Sequence, residues 1–161
     1  DGFGWNSDEN NHYKIPHTGI VVVEDNVFIG ANCCIDRATF DKTIIGFGTK
    51  MDNLIQIAHN VKVGKYCLIA GGVAIAGSTV IGDWVTIAGQ VGIINHLTIG
   101  DKTVIASKSA VYKSVPKGSF ISGIPARVHK DRLKQDIAVS QLPELYKRVR
   151  QLEESLKNYK N

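Results

Sequence analysis

The stretch IQIAHNVKVG, residues 55–64, sets one histidine, His59, among aliphatic and small residues with an amide, Asn60, beside it. Three roles suit such a residue: a packed ring, a metal ligand, or a base that takes a proton from an attacking group. Further on, Asn95 and His96 again pair an amide with an imidazole. Midway between His59 and Asn95 stands Gly77, whose backbone N–H no side chain obstructs. Asp52 and Gln56 lie just upstream of His59. A base with polar neighbours is equipped to move a proton at a reacting group. Whether these groups meet depends on the elements that hold them.

Those elements announce themselves as a six-residue repeat. Stepping by six from Ile45 gives Met51, Ile57, Val63, Ile69, Ile75, Ile81, Ile87, Ile93, Ile99, Ile105 and Val111 without a miss. The following residue is usually Gly or Ala, as in Gly46, Ala58, Gly64, Ala70, Ala76 and Gly82. Four past each aliphatic comes a small or β-branched residue, as in Thr49, Val61, Cys67, Val73, Thr79 and Val85. A helix repeats near 3.6 residues and a simple strand repeats at 2; six fits neither over this length. A short strand and a corner, three per coil, do fit. The chain then winds as a three-sided prism with aliphatics inside, small residues at the corners, and coils about 4.8 Å apart. Repeats of this kind resemble those of left-handed parallel β-helices, an all-β fold. An earlier block, Val23, Ile29 and Ile35, keeps the same step but is four residues out of register, which predicts a loop at 41–44.

With eighteen residues per coil, His59, Gly77 and Asn95 with His96 fall on one face of three successive coils. Asp52 occupies a slot that the repeat otherwise gives to Gly or Ala. Such a break in a local rule tends to mark a site, although an Asp at a corner also bonds its own backbone. Zinc would need a third ligand on this face, and His12, His17 and His129 fall outside it. The segment GGVAIAG lacks the Lys-Ser/Thr ending of a phosphate loop. Cys33, Cys34 and Cys67 form no framework, and Cys33 and Cys67 sit in inward slots as core fillers.

The chain has 161 residues and a formal net charge of +4. Its length suits one domain with an appendage, and no apolar run is long enough to span a membrane. Residues 113–161 carry eleven Lys or Arg against five Asp or Glu. That surplus suits an acidic protein partner or a solvated helix. Pro116, Pro125 and the phrase SGIPARV end the coils, dividing the chain into a coil domain, 1–126, and an extension, 127–161. Leu142, Leu145, Val149, Leu152, Leu156 and Tyr159 form a heptad seam, with Pro143 and Glu144 in the first turn of its helix. So narrow a seam buries itself best against its own copies, and a trimer suits a three-sided prism.

The motifs DGFGW, KIP at 14–16, IDRATFDKTIIG, DNLIQIAHNV, IAGSTVIG, INHLTIG and SGIP together resemble the UDP-3-O-(3-hydroxyacyl)glucosamine N-acyltransferase family of lipid A biosynthesis. The likeness covers essentially the whole chain, in order and with matching spacing. It implies a homotrimer of left-handed β-helices with C-terminal α-helices. It implies transfer of a (3R)-3-hydroxyacyl chain from acyl carrier protein to the 2-amine of UDP-3-O-acylglucosamine, in the cytoplasm of a Gram-negative-type bacterium. In that likeness His59 is the general base and Gly77 the oxyanion donor. Asp52 joins them as a catalytic polar group, while Gln56, Asn60, Asn95 and His96 contact substrates. No metal, nucleic acid or tightly bound cofactor is expected, because the phosphopantetheine arm arrives on the carrier protein. The family also has a uridine-binding domain and further coils ahead of DGFGW, so the chain reads as lacking them.

An imidazole, with a reference pKa near 6.5, suits proton removal at neutral pH. Asp52 or a backbone carbonyl would orient the ring. Lys130, Arg132 and Lys134 would meet the carrier protein. Two other readings remain open at this point: an acetyl-CoA-dependent sugar acetyltransferase on the same coil, and an inactive coil that only assembles.

Overall fold

The computed structural model describes residues 1–159, with side chains through 156. Residues Asp1–Val128 form one compact unit and the C-terminal helix forms another. The first unit is a left-handed parallel β-helix with three faces. Face 1 stacks Ile20–Val23, Lys42–Ile45, Lys62–Val63, Val80–Ile81 and Thr98–Ile99. Face 2 stacks Phe28–Ile29, Lys50–Met51, Leu68–Ile69, Thr86–Ile87, Val104–Ile105 and Phe120–Ser122. The strand Arg127–Val128 closes that sheet antiparallel. Face 3 stacks Cys34–Ile35, Gln56–Ile57, Ala74–Ile75, Gly92–Ile93 and Ala110–Val111.

The eighteen-residue coil appears directly in the pairing. Gln56–Ile57 pairs with Ala74–Ile75, which pairs with Gly92–Ile93. Every aliphatic of the six-step series from Ile45 to Val111 is buried, none more than 3% exposed. Removing one such isoleucine side chain from water contributes about 1.5–3 kcal/mol. The second inward position holds Val61, Cys67, Val73, Val85 and Val91, with Thr49, Thr79, Thr103 and Ser109 between them. Their buried hydroxyls are satisfied by main-chain carbonyls: Thr49 Oγ1 donates to Gly64 O at 2.9 Å and Thr79 Oγ1 to Ile94 O at 2.9 Å. Cys67 fills such a slot, fully buried, and burial pushes its thiol pKa up.

The small residue after each aliphatic does not itself make the corner. The turn comes two residues later, where Asn60, Tyr66, Ser78, Trp84, Gln90, His96, Lys102 and Lys108 all adopt left-handed backbone. The small residue answers to crowding between coils. A Cβ on Gly46 would lie 2.5 Å from the carbonyl oxygen of Gly64, and one on Gly64 2.5 Å from that of Gly82.

The four extra residues are not at 41–44 as the repeat suggested. Lys42–Ile45 is a strand pairing with Ile20–Val23 over four rungs. The excess forms a loop at 36–41 instead. Ala38, fully buried, anchors this loop from inside, and Asn60 holds its main chain from outside. The chain before the first coil folds as a hairpin, Trp5–Ser7 against His12–Lys14.

The second unit is one helix, α1, His129–Tyr159, rather than several. It begins well before Leu142 and runs through Pro143, which therefore is not in a first turn. Proline has no N–H to offer the carbonyl one turn back, and a helix with strong formers on both sides tolerates that single loss. The seam residues Leu142, Leu145, Val149, Leu152 and Leu156 are all exposed. The side chain of Tyr159 lies outside the described residues. Among the described residues no helix is long and apolar enough to cross a membrane.

Candidate active site

His59 leaves the end of the strand Gln56–Ile57, where face 3 turns toward face 1, and its ring stands outside the prism, half-buried. The stacking that the repeat predicts holds at this corner. Ser78 N–H donates to His59 O at 3.0 Å, and His96 N–H donates to Gly77 O at 3.1 Å. The imidazole packs against the next coil: a Cβ on Gly77 would sit 2.8 Å from His59 Nε2 and 2.8 Å from Cε1. Glycine is therefore a packing requirement here, since any side chain would displace the ring. The Gly77 N–H makes no hydrogen bond among the described residues.

Asn60 determines which ring nitrogen carries the proton. Its Nδ2 donates to Phe40 O at 2.8 Å, and its Oδ1 accepts from Thr39 N–H at 3.0 Å. These partners fix the amide orientation, because a carbonyl oxygen only accepts and a main-chain N–H only donates. His59 Nδ1 lies 3.0 Å from the same Oδ1 and must donate to it. The neutral ring thus holds its proton on Nδ1 and presents the Nε2 lone pair beside Gly77. Asn60 is able to do this because its own backbone is left-handed, φ 61°, which asparagine tolerates, and Thr43 Oγ1 accepts its N–H at 2.9 Å.

The other expected residues are distributed unevenly. Gln56 and Asn95 line an open depression on face 3, floored by Ala58, Ala74, Ala76 and Gly92, that leads to the His59 corner. Gln56 Nε2 donates to Asp36 Oδ2 at 3.1 Å, so it is partly engaged by the loop. Asn95 and His96 are exposed, one coil beyond Gly77. Asp52 is not with them. It follows the strand Lys50–Met51 on face 2, at a different corner, and its Oδ2 accepts from Gly71 N–H at 3.1 Å. Within one chain it does not orient His59; Asn60 does. Asp52 breaks the small-residue rule because its carboxylate caps the N–H of the next coil.

His17 is the residue that sequence reasoning set aside and the structure returns. The loop after the N-terminal hairpin lays its ring edge-on against His59, centroids 5.3 Å apart and planes at 70°. A Cβ on Gly2 would come within 2.9 Å of His59 Cβ and 2.8 Å of His17 Nε2. The glycines of DGFGW therefore make room for two imidazoles. The only signal in the sequence was that both glycines flank a bulky aromatic, and it does not name a contact. Among the described residues no group of three or more His, Cys, Asp or Glu is placed to hold a metal.

No protein-family model matches the chain. It is 55% identical over 157 residues to the UDP-3-O-acylglucosamine N-acyltransferase of Desulfotalea psychrophila, covering 97% of this chain and 46% of that protein. With UDP-3-O-acylglucosamine N-acyltransferase 2 of Legionella pneumophila subsp. pneumophila it shares 59% identity over 135 residues, 84% of this chain and 39% of the relative. The chain thus spans less than half the length of these curated relatives. Among solved structures, the Arabidopsis UDP-N-acetylglucosamine acyltransferase superposes with a TM-score of 0.66 at 27% identity, covering 73% of this chain and 42% of that one. Over the length it spans, with the hexapeptide coil and the DNLIQIAHNV corner intact, this chain belongs to the UDP-3-O-acylglucosamine N-acyltransferase family.

Proposed function

We propose that this chain carries the catalytic corner of an N-acyltransferase. It moves a 3-hydroxyacyl group from the phosphopantetheine thioester of an acyl carrier protein to the 2-amine of UDP-3-O-acylglucosamine. The observation that carries the reading is the His59 ring on Gly77, with its tautomer fixed by Asn60 and its Nε2 lone pair beside a free N–H. The neutral amine attacks the thioester carbonyl. His59 Nε2 takes the proton the amine sheds, and Asn60 Oδ1 keeps hold of Nδ1–H while the ring becomes imidazolium. The carbonyl oxygen gains negative charge and the Gly77 N–H meets it; one such donor contributes roughly 3 kcal/mol. Collapse of the tetrahedral adduct expels the thiolate, which takes the proton back from His59. No metal or tightly held cofactor enters these steps.

The depression past Ala58, Ala74 and Ala76 offers the small side chains along which an extended arm or acyl chain can lie. The exposed seam of α1 and the flat faces of the coil suit self-association as a trimer, in which Asp52, its Oδ2 engaged by Gly71 N–H, would offer its other oxygen to a neighbour's cleft. Lys130 and Lys134 suit an acidic carrier. Arg132 is less available, because Asp136 holds it at 2.8 Å on the same helix.

The test is to mix the chain with a 3-hydroxyacyl carrier protein and UDP-3-O-acylglucosamine and to weigh the product. Gain of one hydroxyacyl mass supports the reading. Transfer from acetyl-CoA alone would replace it with the acetyltransferase reading. Assembly without transfer from either donor would reject both.

A further inference from the structure

Beside the His59 corner two cations share one carboxylate. Gly2 packs so closely on His59 that a Cβ there would lie 2.9 Å from His59 Cβ, and Lys14 Nζ donates to Gly2 O at 3.4 Å. The hairpin sets Lys14 directly opposite Trp5, and its ammonium lies 5.5 Å from the centre of the indole. Arg37 arrives from the loop at 36–41. Its Nη1 donates to the carbonyl oxygen of His17, whose ring is in edge contact with His59. Between the cations stands Asp1, with Oδ2 3.7 Å from Lys14 Nζ and Oδ1 3.9 Å from Arg37 Nη1. Both separations are longer than a hydrogen bond, so the carboxylate balances charge without occupying the N–H donors. All three side chains are half-exposed, and pairs so exposed hold weakly. The trio is left with one positive charge in excess and donors open to solvent.

We propose that Lys14 and Arg37 bind the diphosphate of the nucleotide-sugar acceptor and so fix its amine at the His59 corner. This site rests on the reaction proposed above. In that acceptor the reacting amine and the first phosphate are borne by adjacent sugar carbons, so the phosphorus lies roughly 4–5 Å, one coil spacing, from the nitrogen. Whatever binds the phosphate must therefore border the corner that holds the base. Lys14 and Arg37 do, each one contact removed from His59, through Gly2 and through His17. A diphosphate spreads its charge over two phosphoryl groups, which suits two cations held apart by a carboxylate. Arg37 offers a planar fork of donors and Lys14 a compact charge. The phosphodiester of the pantetheine arm is at the opposite end of that arm from the thioester, so it does not reach this flank while the acyl carbon is at Gly77. Asp1 holds the cations in place before the acceptor arrives, and its charge limits how tightly the anion is kept.

The experiment titrates the full chain with inorganic pyrophosphate, UDP and uridine, following indole fluorescence. Trp84→Phe is built in so that Trp5 is the tryptophan observed. Lys14 lies over that indole, so an anion that draws the ammonium away changes its emission. Saturation is expected with pyrophosphate and UDP, and none with uridine at the same concentration. Replacing Lys14→Gln and Arg37→Gln together should weaken pyrophosphate binding about tenfold or more. Asp1→Asn should strengthen it about threefold, a change of sign that a damaged fold does not produce. In turnover, the paired Gln variant should raise KM for the acceptor about tenfold while altering kcat and KM for the carrier protein less. If the paired variant loses its thermal transition, Arg37→Gln alone and Asp1→Asn supply the comparison. Pyrophosphate that leaves Trp5 unmoved, binding unchanged in the Gln variants, or weaker binding in Asp1→Asn overturns the proposal. So does a KM effect confined to the carrier protein, which would give these cations to the carrier instead. The titration needs neither carrier protein nor turnover, so an inactive chain rejects the reaction while pyrophosphate still decides the site.

Discussion

Gly77→Ala tests the geometry of the site with a single methyl group. The backbone at Gly77 is not in the left-handed region, so alanine adds no strain of its own. The new Cβ would stand 2.8 Å from both Nε2 and Cε1 of His59. Ordinary van der Waals contact begins near 3.4 Å, so the ring must withdraw by about 0.6 Å or more, or tilt. It is half-buried and tethered at Nδ1, so it can give way, but only by stretching its bond to Asn60 Oδ1. A misplacement approaching 1 Å in a reacting group costs on the order of a hundredfold in rate. The cost in stability is smaller, about 1–2 kcal/mol, because the neighbour that yields is a side chain rather than packed backbone. The expected result is a kcat lowered about a hundredfold with a small change in melting temperature. Gly89→Ala is the control: its Cβ would meet only Gly71 O, at an ordinary 3.4 Å and at a different corner, and should leave kcat unchanged. Combining Gly77→Ala with His59→Ala should cost little beyond His59→Ala alone, since groups that act as a unit are not additive. Turnover is read by product mass. A Gly77→Ala enzyme within about threefold of the parent would refute the arrangement of base over glycine that the mechanism rests on.

His59→Ala should lower kcat by at least about a hundredfold while circular dichroism and melting stay near those of the parent, because the ring lies outside the core. Gly64→Ala should be the opposite case. Its Cβ would press on the carbonyl of Gly82, which is stacked backbone and cannot withdraw, so stability should fall by about 2 kcal/mol or more in denaturant titration. Cys67→Val should change the alkaline response of stability. Burial raises the Cys67 pKa above the ordinary thiol range, so just above that range the unfolded chain loses a proton that the folded chain keeps. The unfolded state then binds fewer protons, and stability declines as pH rises. Melting temperatures at neutral pH and near pH 10 should therefore diverge more in the parent than in Cys67→Val; equal divergence would place the thiol outside that linkage.

Much of this architecture is arithmetic. Because a coil takes eighteen residues, adding eighteen to a residue number names its upstairs neighbour, and the stacking of His59, Gly77 and Asn95, with His96 beside it, follows from counting alone. The aliphatic identity of each sixth residue, together with the small residue after it, also names the core without reference to any other part of the chain. Counting fails where the period is interrupted. The loop at 36–41 adds four residues, and its contents decide what touches Asn60; hence the sequence left open what orients His59, and the answer proved to be an adjacent amide. Asp52 stands out in the sequence because it breaks the repeat's small-residue rule, yet the seven residues between it and His59 carry the chain past one corner and on to the next. His17 lies in a segment with no repeat, and only the fold-back of the N-terminal hairpin brings it against His59. Periodic burial of apolar side chains is local and additive, so a sequence states it plainly. Contacts between an aperiodic segment and a coil depend on where the chain returns in space, and that is decided by the packed structure.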